Sequence, residues 1–295
     1  MNRYFAAATL LSLFIIGAVA VRAEEGDAQP IGVKTGVRGT VGTGGYVGRG
    51  AYLQYGDAWR LKGSYSDYRY EGSTGTTRTA GLRASYQGEN LAAGLTFSVT
   101  PRNDSYANRS FGADGGWTFI LNEGSEDSSG LEDFELGAFW SQTRHSQIIP
   151  ATPVLPDERN VIINQHDLGL SAALTGWDVT LSVDASRSVY DQNFDDLPAA
   201  ARRRPRLGEA LSLVNGFPER AGSARLEYGR WRACVPYVSV AASRYKIQPQ
   251  PASLTASAGV ALRYGGLGVD LGYELVRQKG ATDTKYFSFG GSFKF

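Results

Sequence analysis

Several things are scarce in this sequence. One cysteine, Cys234, stands among 295 residues, so no internal disulfide can form. That lack would weaken a small secreted domain, but it is indifferent to a barrel closed by its own backbone ladder. Methionine occurs only at position 1, while 37 glycines and 16 tyrosines argue against a helical bundle. An excess of either charge is also missing. Lys and Arg number 30 against 29 Asp and Glu, a net charge of +1 that gives no reason to expect nucleic acid. No metal-ligand cluster and no nucleotide loop appears, so no cofactor is expected. The glycine-rich run 42–50 reads as a strand connection.

Long apolar runs are scarce as well. The one present, Phe5 to Val19, follows Arg3 and precedes two small-x-small sites ending at Ala20 and Ala23. It is short for a spanning helix and has the layout of a secretory signal, with removal expected after Ala23. No cysteine follows it, so a lipid anchor is not expected. Residues 24–30 then form a short polar segment, and 31–295 carry everything else.

Mean hydropathy is −0.25, the value of a polar soluble protein. The local pattern differs. In the last twelve residues one parity holds Phe287, Phe289, Gly291, Phe293 and Phe295, and the other holds Tyr286, Ser288, Gly290, Ser292 and Lys294. Side chains alternate across a strand, so this segment has an aromatic face and a small polar face. Leu267, Val269, Leu271, Tyr273 and Leu275 repeat the arrangement, as do Leu91, Ala93, Leu95, Phe97 and Val99. No charge falls within these apolar sets. A soluble sandwich also alternates. Three features favour a membrane barrel: a polar face rich in Gly, Ser and Thr, aromatics near strand ends, and the final Phe.

That ending, carried by Phe289, Gly291, Phe293 and Phe295, resembles the assembly signal of Gram-negative outer-membrane proteins. The resemblance implies an all-β, antiparallel, up-and-down transmembrane barrel of porin type. It also implies insertion by the outer-membrane assembly machinery through Phe295, and contact with outer-membrane lipids and lipopolysaccharide.

Connections alternate between short turns and longer loops, as in such barrels. Short ones fall at 265–266, 229–230, 175–176, 88–90 and 56–57. Longer ones fall at 279–283, 248–252, 191–218, 148–160, 101–108 and 71–76. The acidic stretch 122–132 breaks the alternation. The count predicts fourteen strands, or twelve if 122–132 is misread. Fourteen would leave room for water or a ligand, because eight already fill with side chains.

A charge at the lipid midplane costs ~2–4 kcal/mol, so charged residues within strands are assigned to the lumen. The expected pore lining is Lys34, Arg38, Arg60, Lys62, Arg83, Asp167, Asp178, Asp184, Arg225, Glu227, Arg232, Arg244, Arg263, Asp270 and Glu274. Lys246, Lys294, Asp114 and Glu135 share that parity. Mixed signs allow these charges simply to pair across strands. The basic excess and the neighbours Arg60, Lys62 and Arg83 predict a slight preference for anions. The loop 191–218 carries Asp195, Asp196, Arg202, Arg203, Arg204 and Arg206. It is expected either to fold inward as a constriction or to lie outside against lipopolysaccharide.

Catalysis has little support. Ser146 points away from His145 on the opposite face, and His166-Asp167 has the same parity problem. Cys234, placed with Arg232 on the inner parity, reads as passive. The expected function is passive diffusion of a small-molecule solute, polar or weakly anionic. The alternatives are a closed barrel that binds a surface partner, and an outer-membrane hydrolase.

Overall fold

The computed structural model describes residues 32–70, 75–103, 106–122, 130–149, 159–191, 217–231, 233–246 and 251–295. They form fourteen strands: β1 (Val33–Gly42), β2 (Tyr46–Tyr55), β3 (Trp59–Arg69), β4 (Thr77–Gln87), β5 (Leu91–Asn103), β6 (Tyr106–Ile120), β7 (Leu131–Ile149), β8 (Arg159–Gly176), β9 (Val179–Tyr190), β10 (Pro218–Tyr228), β11 (Cys234–Tyr245), β12 (Ser253–Tyr264), β13 (Leu267–Gln278) and β14 (Thr284–Lys294). Every strand pairs antiparallel with its sequence neighbours, and β14 closes on β1. Fourteen is therefore the strand number, and the twelve-strand alternative falls away.

Closure removes the edges that an open sheet would present to lipid. At the seam Lys34 stands opposite Lys294 and Thr40 opposite Ser288. The Phe295 amide donates to the Val33 carbonyl at 2.9 Å.

Alternation sorts the faces. Leu170 is 68% exposed and Leu82, Leu95, Val240 and Phe289 are also exposed, all on one parity of their strands. The other parity is the inner wall. There Arg83 of β4 reaches Asp114 of β6 across the intervening strand, a span open only to side chains on the concave side. Large buried side chains are few and lie on this side. Tyr46, Tyr68 and Tyr286 pack together, with Tyr46 and Tyr286 ring centres 5.2 Å apart.

The two ends differ. The β8–β9 turn is two residues, Trp177 and Asp178, with φ of 54° and 60°. Two positive φ values make the type I′ geometry that matches strand twist. At this short-turn end, outward aromatics pair along the rim: Trp59 with Tyr86 at 4.9 Å, Tyr228 with Trp231 at 5.6 Å, and Phe293 with Phe295 at 4.7 Å. Aromatic girdles of this kind mark a membrane–water boundary.

At the opposite end the strands run on. β7 has 19 residues and β8 has 18, well beyond the ~9–11 a tilted strand needs to cross a bilayer. β5 and β6 extend to Asn103 and from Tyr106, so the expected loop at 101–108 shrinks to two residues. The acidic stretch 122–132 gives Leu131 and Glu132 to β7. Its residues 123–129 lie outside the described residues, as do 1–31, and with them the expected signal segment and its cleavage point.

Candidate functional site

The inner wall is built from one parity of each strand, and its charges separate by arc. Lys34, Arg38, Arg60, Lys62 and Arg83 lie on β1, β3 and β4. In register, Lys34 stands opposite Gln54, Gln54 opposite Lys62, and Lys62 opposite Arg83. Across β6 to β9 the inner parity holds the carboxylates Asp114, Glu135, Asp167 and Asp184 instead. A basic arc on β1, β3 and β4 thus gives way to an acidic arc on β6 to β9, and Arg83 and Asp114 meet where the two adjoin. β10 to β13 are mixed: Arg225 pairs with Glu227 at 2.6 Å and Arg263 with Asp270 at 3.0 Å. Glu274 is 6% exposed and Asp184 accepts from Ser223.

Within the basic arc, Arg83 is neutralised. Its two terminal nitrogens donate to the two Asp114 oxygens at 2.6 and 2.7 Å, and Nη1 also reaches Thr96 Oγ1 at 3.0 Å. Such a fork is strong and directional. It lies over Gly94, where a Cβ would collide with the guanidinium, so glycine is needed for the close approach.

Lys62 differs, with its ammonium 4.3 Å from the centre of the Tyr52 ring and no carboxylate partner among the described residues. Lys34 has none either, and Arg60 donates to the Asp57 carbonyl at 2.6 Å. Lys62 itself lines a cleft of about 380 Å³, together with Arg38, Tyr52, Ser64, Thr79 and Thr96, among others. A surface of ammonium, guanidinium and hydroxyl donors replaces the hydration of an anionic or polar solute.

On the acidic arc a hydrogen-bonded chain crosses four strands, β6 to β9. Asp167 accepts from Ser141 at 2.9 Å, Ser188 at 2.6 Å and Gln165 at 2.7 Å. Gln165 meets His145 Nε2 at 3.0 Å, and His145 Nδ1 meets the Tyr106 hydroxyl at 2.7 Å. Both ring nitrogens of His145 are thus occupied, one by an amide oxygen and one by a phenol, and neither partner is a serine or a cysteine. His166 lies on the outer face against Trp140, with ring centres 6.4 Å apart.

Two expected lining residues stand elsewhere. Asp178 is in the β8–β9 turn, where its carbonyl accepts from Gly229 at 2.6 Å, and so belongs to the rim. Arg244 is on the outer face, sharing parity with Val238 and Val240, which are both 54% exposed. Lys246 and Cys234 have the same outward parity. On β11 the valines decide the facing, and the inner parity carries Tyr237 and Ser239. Arg232 and the loop candidates Asp195, Asp196, Arg202, Arg203, Arg204 and Arg206 lie outside the described residues.

Some inner-wall groups escape sequence reading. Tyr237 lies 3.8 Å beneath the Arg225 guanidinium, and Tyr106, Gln165 and Ser188 complete the Asp167 network. Gln165 and Ser188 share the inward parity of their strands, but Tyr106 falls in the expected loop 101–108, and Tyr237 lies on the parity opposite Arg244, a residue expected inside.

The fold is similar to that of several solved structures, outer-membrane proteins among them. Among solved structures, the likeness to the outer membrane protein OprD from Pseudomonas aeruginosa covers 90% of this chain and 93% of that one, at 12% identity and a TM-score of 0.45. CdiB from Acinetobacter baumannii is 10% identical, over 91% of this chain and 60% of that one, with a TM-score of 0.49. The KdgM porin in complex with disordered oligogalacturonate is 8% identical, over 89% and 99%, with a TM-score of 0.44. No family model matches the chain, and no curated protein matches it. The inner wall is therefore read from its own residues.

Proposed function

We propose that this chain is an exported outer-membrane channel, its signal removed near Ala23, through which small polar and weakly anionic solutes diffuse passively. The observation that carries the reading is the basic arc, in which Lys34 and Lys62 are not neutralised by a carboxylate among the described residues. Lys62 lines a cleft of hydroxyl and guanidinium donors, and Lys34 follows it along the same inner wall. Binding there is through spread, single donors on an open wall, which lets a solute enter and also leave. The adjoining acidic arc orients a dipolar solute in transit and limits anion preference to a modest one.

A non-enzymatic role is supported by the engagement of His145 with Tyr106 and Gln165, which leaves it no serine to activate.

The deciding experiment is a planar-bilayer recording of purified residues 24–295 under a salt gradient. Stable open steps with a reversal potential favouring anions support the reading. A folded barrel that never conducts overturns it in favour of a closed, partner-binding barrel.

A further inference from the structure

Among the described residues most strands carry an outward-facing cation near their loop ends, on the face otherwise reserved for lipid, Arg49, Arg78, Arg277 and Lys285 included. On three adjacent strands these cations align. Arg187 of β9 is directly opposite Arg220 of β10, and Arg220 is directly opposite Arg244 of β11. A second pair, Arg109 of β6 and Arg144 of β7, is likewise directly opposed. All five are exposed. Among the described residues only Arg244 of the five has a carboxylate partner, Glu219 at 3.4 Å.

Like charges directly opposite one another destabilise a sheet. Two such clusters on one rim therefore call for an external counter-charge. Their height says where it sits. From Arg220 to the rim aromatic Tyr228, and from Arg109 to Trp117, is eight residues along the strand. At ~3.4 Å per residue and a tilt of ~40°, that is roughly 20 Å of height, close to the ~25 Å apolar band of such barrels. The outward residues in between are Gly222, Ala224 and Leu226 on β10, and Phe111, Ala113 and Gly115 on β6. The arginines therefore stand where the hydrocarbon ends and head groups begin, and a charge at that depth costs only ~0–1 kcal/mol.

We propose that the row Arg187–Arg220–Arg244, with Arg109–Arg144 as a second site, binds the phosphates of a phosphorylated glycolipid in the outer leaflet. Guanidinium forks match phosphate oxygens bidentately, and adjacent forks suit a head group bearing more than one phosphate. The inference rests on the membrane placement proposed above, but not on conduction. Lipid thus serves as the missing anion of the outer wall, and the lumen residues take no part.

The test is native mass spectrometry of the purified full barrel in detergent, incubated with a bisphosphorylated lipid A or with its fully dephosphorylated form. Preferential retention of the phosphorylated form, at least tenfold, is expected, with inorganic phosphate in excess failing to displace it. Equal retention of both forms overturns the proposal, and displacement by inorganic phosphate points to a simple anion site and also overturns it. The triple variant R187Q/R220Q/R244Q should lose most retention, whereas R187K/R220K/R244K should keep a substantial part. The wild-type comparison needs no variant to fold. Conductance recorded in parallel separates the two readings: lipid retention without conduction sinks the channel alone, and conduction without phosphate-dependent retention sinks this site alone.

Discussion

Arg83 grips Asp114 from two strands away, with only the bare backbone of Gly94 beneath the guanidinium. This fork removes the strongest cation of the basic arc from the free charge of the lumen. In the proposed channel a solute would then meet Lys34, Arg38 and Lys62 along this wall.

Releasing Arg83 should therefore change selectivity more than stability. Asp114→Asn leaves the guanidinium uncompensated, and the reversal potential should shift towards anions. The pair is more than a third exposed on both sides, so unfolding free energy should change by no more than ~1 kcal/mol. A shift towards cations, or none, would contradict the assignment of the pair to the lumen.

Lys62→Glu tests the other half of the arc. It places a carboxylate opposite Arg83 and over the Tyr52 ring, and anion preference should fall or invert. Lys62→Gln should lie between that variant and wild type. Three indistinguishable reversal potentials would show that ions do not pass this stretch of wall.

The outer face is tested at mid-span. Leu170, opposite Ala138 and Ala185, is exposed on the lipid side. Leu170→Arg should destabilise the folded barrel by ~2–4 kcal/mol in lipid vesicles, the midplane cost of a guanidinium. Ser171→Arg, one residue along and facing the lumen, should cost much less. Comparable urea midpoints for the two variants would refute the facing of β8.

Cys234 reports the facing of β11. It stands opposite Leu262 on the outer parity. A fluorophore attached there should be quenched by brominated lipids and little by aqueous iodide. The reverse pattern would return Cys234, and Arg244 with it, to the lumen.

Strand existence and strand number were legible because alternation is imposed by physics. A closed barrel in lipid must place apolar side chains on every second position, and Leu91 to Val99 or Phe287 to Phe295 admit no other phase. The expectation for Arg244 failed for a related reason. On β11 both parities hold apolar and polar residues, and the cost of a charge on lipid was applied without its depth. At mid-span an outward arginine is expensive; at the rim it is nearly free, so Val238 and Val240 determine the phase instead.

Taken by itself, the sequence determined the all-β class, fourteen strands and the inner or outer facing of most of their residues, since those follow from local period and turn spacing. Tertiary structure alone decided which residues meet: Arg83 with Asp114, His145 with Gln165, Arg220 between Arg187 and Arg244. Those meetings depend on register, and a slip of one residue between two strands would move every side chain to the other face. No local pattern carries that information. It is set when fourteen ladders close together and each register must satisfy both of its neighbours.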